Sequence, residues 1–196
     1  MDYTAIVDWL KENLSEERFE HTLGTAECAE ELAERFGLDS EKAYLCGLLH
    51  DCAKCIPNDE LKSMICDCGF LCEGELDNPK TYHAPAGAIL AKKEFCDLCD
   101  DEILSAIRWH TLGRVDMTDF EKIIFLADKI ETRTRPAELI LPIRAVIREE
   151  NGLDKALLIC YGNTIKSLVD RNLKICKATI DIYNDLLNKL DLKRGK

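Results

Sequence analysis

Apolar residues recur along this chain at intervals of three and four positions, and no segment of useful length alternates between apolar and polar residues. The first spacing places apolar side chains along one face of an α-helix, whereas strict alternation would indicate a strand. The pattern therefore predicts an all-α protein that folds as a bundle of amphipathic helices.

Capping residues indicate where these helices begin and end. Asp2 and Ser15 can each cap a helix, the second ending at Gly37, and Ser40 can cap a third that ends at His50. Further helices are predicted from Pro57 to about Gly69, over 84–96, over 100–110, after a capping box of Thr118 and Glu121, and as a pair within 153–190 that separates near 172–174. Residues 69–81 are predicted to be a loop.

The domain organisation and the cellular setting are suggested by composition. The chain has 196 residues, enough for a substantial core, and no repeat or linker divides it, so we expect one domain over 1–196.

The 26 Lys and Arg residues against 37 Asp and Glu residues give a net charge of -11, which argues against binding nucleic acid or an anionic membrane. The acidic, amphipathic N-terminus does not resemble a secretory signal. The odd number of cysteines, 11, favours free thiols, and we expect a cytoplasmic protein.

Candidate chemistry centres on His50 and Asp51, adjacent residues at the end of an apolar helix whose side chains could reach one metal ion. His21 lies on the preceding predicted helix, and His83 and His110 lie on two later ones. Asp128 follows on the next helix. Each residue alone could be an ordinary surface or capping residue, but all 4 histidines of the chain belong to this series. The order therefore indicates one site assembled from several helices.

This series resembles the HD superfamily of metal-dependent phosphohydrolases. A closer likeness, to the YqeK group within it, is carried by the segments Arg18–Thr22, Gly47–Lys54, Tyr82–Ala84, Trp109–Thr111 and Ala127–Glu131. The likeness runs over about 18–133, with the C-terminal helices at 153–192 expected to pack on that core. It implies an HD-domain helical bundle, a homodimer, and symmetrical bis(5'-nucleosyl)-tetraphosphatase activity, in which diadenosine tetraphosphate is split into two ADP. The expected ligands are therefore a dinucleoside polyphosphate or a nucleoside diphosphate.

By the same resemblance, His21, His50, Asp51 and Asp128 bind a divalent metal ion. Imidazole and carboxylate ligands suit Fe, Mn, Zn or Mg, and the resemblance favours iron. A bound ion would lower the pKa of a coordinated water and polarise a phosphoryl oxygen. Of these ligands, His21, Asp51 and Asp128 are expected to line the substrate pocket as well, and Asp51 is expected to take part in catalysis.

Basic residues near these ligands could offset the charge of a polyphosphate. Lys54 lies three residues after Asp51, and Arg18 lies three residues before His21 on the same predicted helix. Arg133 lies five residues past Asp128 and could reach back to the pocket. Each of these cations alone is equally consistent with a solvated surface charge.

The roles of two histidines, and of one more arginine, stay open in the sequence. His83 and His110 could bind a second metal ion, or they could donate hydrogen bonds to phosphate oxygens or protonate the leaving group. We favour phosphate contacts, because no further carboxylate is evident to complete a second metal site. Arg171 lies in a segment that could turn back over the nucleotide, and it is a candidate nucleotide ligand.

Cysteine spacing supports a competing interpretation. Cys52 and Cys55, and likewise Cys96 and Cys99, are CxxC pairs, and three further thiols lie at 66, 68 and 72. Such spacing is found in zinc, iron–sulfur and redox proteins. A non-catalytic thiol-metal or redox protein is therefore one alternative. Another is a different HD enzyme, such as a nucleotidase or phosphodiesterase, because the metal ligands carry no information about the nucleobase.

Overall fold

The computed structural model describes residues 2–66, 68–69 and 71–190. Over these residues the regular structure is helical and no strand occurs, so the prediction of an all-α protein is confirmed. The helices are α1 (Thr4–Asn13), α2 (Glu16–Phe36), α3 (Ser40–Leu49), α4 (Asn58–Ile65), α5 (His83–Glu94), α6 (Asp101–Trp109), α7 (Asp119–Ile130), α8 (Ala137–Val146), α9 (Gly152–Asp170) and α10 (Lys177–Lys189). Two short 3-10 turns, Glu75–Asp77 and Pro79–Thr81, lie within the predicted loop.

Several predicted helix ends are confirmed by their hydrogen bonds. The Ser15 hydroxyl accepts a hydrogen bond from the backbone N–H of Arg18 at 3.3 Å, and α2 ends at Gly37 in the left-handed conformation. Thr118 and Glu121 form the predicted capping box at the start of α7. Local side-chain capping therefore fixes the two helices that later prove to carry His21 and Asp128.

Other predicted ends are shifted by a few residues. Asp39, not Ser40, caps α3, and its carboxylate accepts the backbone N–H of Lys42 at 2.9 Å. Tyr3 occupies the N-cap of α1, while Asp2 accepts the N–H of Thr4 at 3.0 Å. Helix α4 ends at Ile65, earlier than predicted. Neighbouring residues with similar capping ability explain the first of these differences.

Helix α8 was absent from the sequence prediction. Pro136 precedes it and Pro142 lies inside it, and prolines at such positions obscure a helical pattern because the ring lacks a backbone donor. Ile140 and Ile143 nevertheless face the core, three positions apart. The predicted C-terminal pair corresponds to α9 and α10, and residues 191–192 of that prediction lie outside the described residues.

Helix α2 lies against both α3 and α7, and α6 packs against α5 and α7. The α2–α3 contact is close at Gly47, where an added Cβ would lie 2.5 Å from the Cα of Ala26. This contact brings the end of α3 beside the first turns of α2.

None of the helices described here combines the length and the apolar character required to cross a membrane.

Replacing Gly47 with alanine is expected to lower the free energy of unfolding by about 1–3 kcal/mol, because the new methyl group overlaps the α2 backbone. Gly162→Ala is the matched control, since its Cβ would meet only Tyr183 at 3.8 Å. The control is expected to be neutral or slightly stabilising through helix propensity. Urea unfolding followed by circular dichroism measures both, and equal midpoints would contradict the packing argument.

Candidate metal and active site

Six side chains singled out by the sequence lie together in the structure. They are His21 on α2, His50 and Asp51 at the end of α3, His83 at the start of α5, His110 at the end of α6, and Asp128 on α7. Each is buried, with at most 7% of its surface exposed. A buried cluster of imidazoles and carboxylates is costly unless its members are paired or hold a cation. This cluster is therefore the candidate site.

The predicted metal ligands converge on a small volume. One ring nitrogen from each of His21 and His50 and one carboxylate oxygen of Asp51 lie within 4.8 Å of one another. Asp128 Oδ1 lies 2.9 Å from His21 Nε2 and 4.0 Å from His50 Nε2. A mixed set of imidazole and carboxylate ligands of this kind suits a divalent ion.

Backbone carbonyls orient two of the histidine rings. His50 Nδ1 lies 2.7 Å from the carbonyl oxygen of Gly47, and His110 Nδ1 lies 2.7 Å from that of Ile107. Because a carbonyl only accepts, each Nδ1 carries the proton and Nε2 keeps a lone pair in the neutral ring. Among the described residues, neither His50 Nε2 nor Asp51 Oδ1 has a hydrogen-bond partner. Buried acceptors without donors fit a bound cation.

A second group of possible ligands shares the Asp51 carboxylate. Asp51 Oδ1 lies 3.3 Å from His83 Nε2 and 3.4 Å from His110 Nε2, whereas Oδ2 lies 3.6 Å from His50 Nε2. Asp51 thus belongs to two groups, each of which could hold a metal ion. From the sequence we expected no second ion, because no further carboxylate was evident. The structure removes that objection, because the single carboxylate of Asp51 faces both groups.

Burial and neighbouring charges determine the protonation of the cluster. Burial lowers the pKa of His50 to about 3 and the pKa of His83 well below its usual value. Burial also opposes ionisation of Asp51 and Asp128, but His50 beside the first and Lys129 beside the second hold both carboxyl pKa values well below their usual range. Near neutral pH these two imidazoles are therefore neutral and both carboxylates are ionised, as metal binding requires.

The structure places two of the predicted cations at the site. Arg18 Nη1 lies 2.9 Å from Asp51 Oδ2. Lys54 Nζ lies 3.8 Å from Asp51 Oδ1 and 2.9 Å from His83 Nε2. Their side chains are 30% and 32% exposed, whereas that of Asp51 is 2% exposed. Both cations therefore stand between the buried carboxylate and solvent, where an anionic ligand would approach.

Arg133 does not reach the pocket as we expected. Its guanidinium binds Glu20 at 2.7 Å and Glu27 at 2.6 Å, two exposed residues on the outer side of α2. Arg135, which the sequence argument passed over, takes the predicted position: its Nη2 lies 3.0 Å from Asp128 Oδ1 and 2.8 Å from the Asp128 carbonyl oxygen. The chain leaves the helical path after Ile130, so helical spacing no longer predicts side-chain direction there.

Arg171 lies just after α9. It lines a cavity of about 770 Å³, and the lining includes none of the six clustered residues. The lining includes the basic residues Lys80, Lys174 and Lys177, the acidic residues Glu73 and Asp77, and the apolar residues Leu168, Leu173 and Ile175. Lys174 Nζ lies 3.3 Å from Asp77 Oδ2, so part of the positive charge is already paired. The structure therefore places Arg171 in a cavity with a mixed charged and apolar lining.

Three further side chains contact the cluster, and no function was predicted for them from the sequence. The Glu131 carboxylate is fully buried, and its Oε1 lies 3.2 Å from His21 Nδ1. Thr111 Oγ1 lies 3.0 Å from Nε2 of His110, and Lys129 forms an ion pair with Asp128. Glu131 follows Asp128 by three residues, a helical spacing that could have indicated it.

The cysteines do not form a comparable site. All 11 are free thiols. In each CxxC pair one sulfur is buried and the other is exposed: Cys52 and Cys99 are buried, while Cys55 and Cys96 are exposed. Within the part of the chain that the structure describes, no group of three possible metal ligands includes a cysteine. The thiol-metal interpretation therefore lacks a converging ligand set.

The part of the chain that contains the site matches a known protein family. Residues 18–133 match the HD domain family, and this range contains all six clustered residues. A crystal structure of a predicted HD superfamily hydrolase involved in NAD metabolism from Clostridium acetobutylicum superposes with a TM-score of 0.88. It is 37% identical, and the match covers 96% of this chain and 98% of that one.

Curated relatives refine this class. A protein of Bacillus subtilis named symmetrical bis(5'-nucleosyl)-tetraphosphatase is 39% identical over 91% of this chain and 94% of its own length. A protein of Halalkalibacterium halodurans with the same name is 35% identical over 91% of this chain and 93% of its own length. The chain therefore belongs to the HD domain family, and it is similar to these two relatives over most of its length.

Proposed function

We propose that this protein is a metal-dependent hydrolase that splits diadenosine tetraphosphate symmetrically into two ADP. One observation carries the proposal: the convergence of His21, His50, Asp51 and Asp128, with buried acceptor atoms that no described donor satisfies. The names of the curated relatives support the substrate. Because those relatives align over most of their own length, the likeness includes both the core and the C-terminal helices.

We propose that the metal is a divalent ion, iron in the first instance, held by His21, His50, Asp51 and Asp128. When bound, such an ion lowers the pKa of a coordinated water and polarises a phosphoryl oxygen. Manganese, zinc and magnesium are compatible with the same ligand types. A second ion at Asp51, His83 and His110 is the alternative to phosphate contacts by those two histidines.

The cations around the carboxylates are proposed to hold the polyphosphate. Arg18 and Lys54 stand beside Asp51, and Lys129 and Arg135 stand beside Asp128, with side chains between 30% and 36% exposed. Each can keep contact with a carboxylate while turning its charge toward solvent. This local positive charge supports binding of a polyanion by a chain whose net charge is -11.

His83 and His110 are proposed to contact phosphate oxygens of the substrate. Thr111 Oγ1 lies 3.0 Å from Nε2 of each ring, and Lys54 Nζ lies 2.9 Å from that of His83. Because burial lowers the pKa of His83, its ring contributes a hydrogen bond, not a positive charge, near neutral pH. Lys54 supplies the charge, which neutralises the transferring phosphoryl group.

The cavity beside Arg171 is proposed to receive a nucleoside. Lys80, which lines the cavity, lies three residues before His83, so their Cα atoms are at most about 11 Å apart. Apolar residues in the lining suit a base, and Lys80 and Arg171 suit phosphate or ribose oxygens. The four basic residues of the lining outnumber its two acidic residues, Glu73 and Asp77, and this excess supports the predicted role of Arg171.

Product analysis tests the proposed reaction. The protein is loaded anaerobically with ferrous ion and incubated with diadenosine tetraphosphate, and the products are separated by anion-exchange chromatography. We expect ADP alone, and we expect a chelator to abolish turnover and added metal to restore it. ATP together with AMP would contradict symmetrical cleavage. Turnover of mononucleotides without cleavage of diadenosine tetraphosphate would favour another HD nucleotidase or phosphodiesterase.

We further propose that the chain forms one HD-type domain, works as a homodimer in the cytoplasm, and acts on its small-molecule substrate without nucleic acid or membrane partners. Packing of α9 against α7 and α8 supports a single domain. The free thiols suit a reducing compartment. Sedimentation velocity of the metal-loaded protein tests the dimer.

A further inference from the structure

Three histidines of the cluster are oriented through Nδ1, but not by the same kind of partner. His50 and His110 each meet a neutral backbone carbonyl three residues earlier in the chain. His21 instead meets the carboxylate of Glu131, with Nδ1 and Oε1 3.2 Å apart. The His21 side chain is 3% exposed and that of Glu131 is 0% exposed, so water does not screen this pair.

The fold holds the Glu131 carboxylate firmly in this place. Glu131 Oε2 accepts the backbone N–H groups of Arg133 at 2.6 Å and Thr134 at 3.0 Å. Oε1 accepts the Thr134 hydroxyl and faces His21. Helix α2 has Gly24 opposite the carboxylate, and an added Cβ there would overlap Oε2. The close approach of α2 to the turn after α7 therefore depends on a residue without a side chain.

From this geometry we infer that Glu131 is a positioning residue for metal binding: it accepts a hydrogen bond from the Nδ1–H of His21 and so directs the Nε2 lone pair toward the ion. A carboxylate partner makes a ligating imidazole a stronger electron donor than a carbonyl partner does. His21 would then be the most strongly donating of the histidine ligands. The inference rests on the proposed metal site but not on any nucleotide substrate.

A second contact of His21 explains why the Nδ1 partner matters. His21 Nε2 lies 2.9 Å from Asp128 Oδ1, so the ring is held between two carboxylates. For both His21 and Asp128 to bind one ion, the ring proton has to remain on Nδ1, on the side of Glu131. Without Glu131, a proton on Nε2 could hydrogen-bond to Asp128 and block the ligand atom. Glu131 therefore selects the tautomer that can bind metal.

Metal titration of Glu131→Gln tests the inference without any nucleotide. We expect the dissociation constant for Zn²⁺ or Fe²⁺, measured by competition with a chromophoric chelator, to rise about 10–100-fold. Glu121→Gln is the matched control: it removes a buried carboxylate on α7 that caps the helix and contacts Ser105 and Arg114 but none of the site histidines. The control is expected to keep the affinity of the unmodified protein. An unchanged affinity in Glu131→Gln, or equal losses in both variants, would overturn the inference.

Nuclear magnetic resonance of the zinc-loaded protein gives a readout that a purely structural role would not move. With only 4 histidines in the chain, the ring Nδ1 protons can be assigned individually. We expect the His21 proton downfield of those of His50 and His110, and an upfield shift in Glu131→Gln. An unmoved signal would count against the inference.

Gly24→Ala perturbs the same contact without removing any polar group, and it serves if Glu131→Gln does not fold. The added methyl group displaces the carboxylate, and we expect weaker metal binding and an upfield shift of the same His21 proton. If both are unchanged, the inference fails. If the metal affinities of the variants change as expected while the metal-loaded, unmodified protein does not cleave diadenosine tetraphosphate, the proposed substrate is wrong and the role of Glu131 stands.

Discussion

Asp51→Asn is expected to abolish tight metal binding and to lower kcat for diadenosine tetraphosphate by at least about 1000-fold. Asp51 is the only residue shared by both groups of possible ligands, with Oδ2 beside His50 and Oδ1 beside His83 and His110. An amide of the same shape keeps the packing but removes the negative charge and one acceptor. Metal content by elemental analysis and steady-state kinetics measure the two losses.

Asp59→Asn is the control for this substitution, because Asp59 is an exposed aspartate in the first turn of α4. It is expected to leave metal content and kcat unchanged. Circular dichroism of both variants shows whether the fold is kept. If the Asp51→Asn protein keeps its full metal content and near-normal turnover, the metal ion is bound elsewhere and this cluster is not the active site.

Arg108→Met is expected to reduce the free energy of unfolding by about 3–5 kcal/mol, because it leaves a buried carboxylate without its ion-pair partner. Arg108 Nη1 and Nη2 bind Glu75 Oε1 and Oε2 at 3.1 and 2.6 Å, and both side chains are at most 6% exposed. The pair joins the 3-10 turn Glu75–Asp77 to α6, the helix that His110 directly follows. Urea unfolding monitored by circular dichroism measures the loss.

Lys189→Met provides the comparison, since Lys189 pairs with Asp116 at 2.7 Å but both side chains are at least 40% exposed. That loss is expected to be under about 1 kcal/mol, because water already screens the charges. The double variant Arg108→Met/Glu75→Met is expected to recover part of the stability by removing the unpaired charge. If Arg108→Met and Lys189→Met lower the free energy of unfolding by similar amounts, the buried pair of Arg108 and Glu75 does not stabilise the protein as proposed.

Much of the fold could be predicted from the sequence because its signals are local. The Ser15 cap, the end at Gly37 and the capping box at Thr118 all depend on residues within one turn of the helix end. Helix α8 escaped prediction because Pro142 interrupts the same local pattern. The long helices were predictable where apolar spacing and caps agreed, and the ends moved where two adjacent residues could cap equally well.

The site was predictable in part for a different reason. His21 and Asp128 lie on helices, and His50 and Asp51 directly follow α3, so spacing and family likeness together indicate a shared site. Arg133 was predicted to face the pocket and Arg135 was not, yet the structure reverses them. Both arginines lie beyond the last residue of α7, in a turn whose path depends on the Glu131 carboxylate. No helical period applies to such a turn.

The sequence by itself determined the helical class, most helix boundaries and the set of histidines and aspartates from which the site is built, because periodicity and capping act over a few residues. Only the tertiary structure decided that Asp51 faces two pairs of histidines and that Glu131 is buried against His21. It also placed Arg171 in the lining of a cavity that includes none of the six clustered residues. These outcomes depend on how residues distant in the chain pack, since burial, which fixes charge pairing and protonation, is a property of the assembled helices.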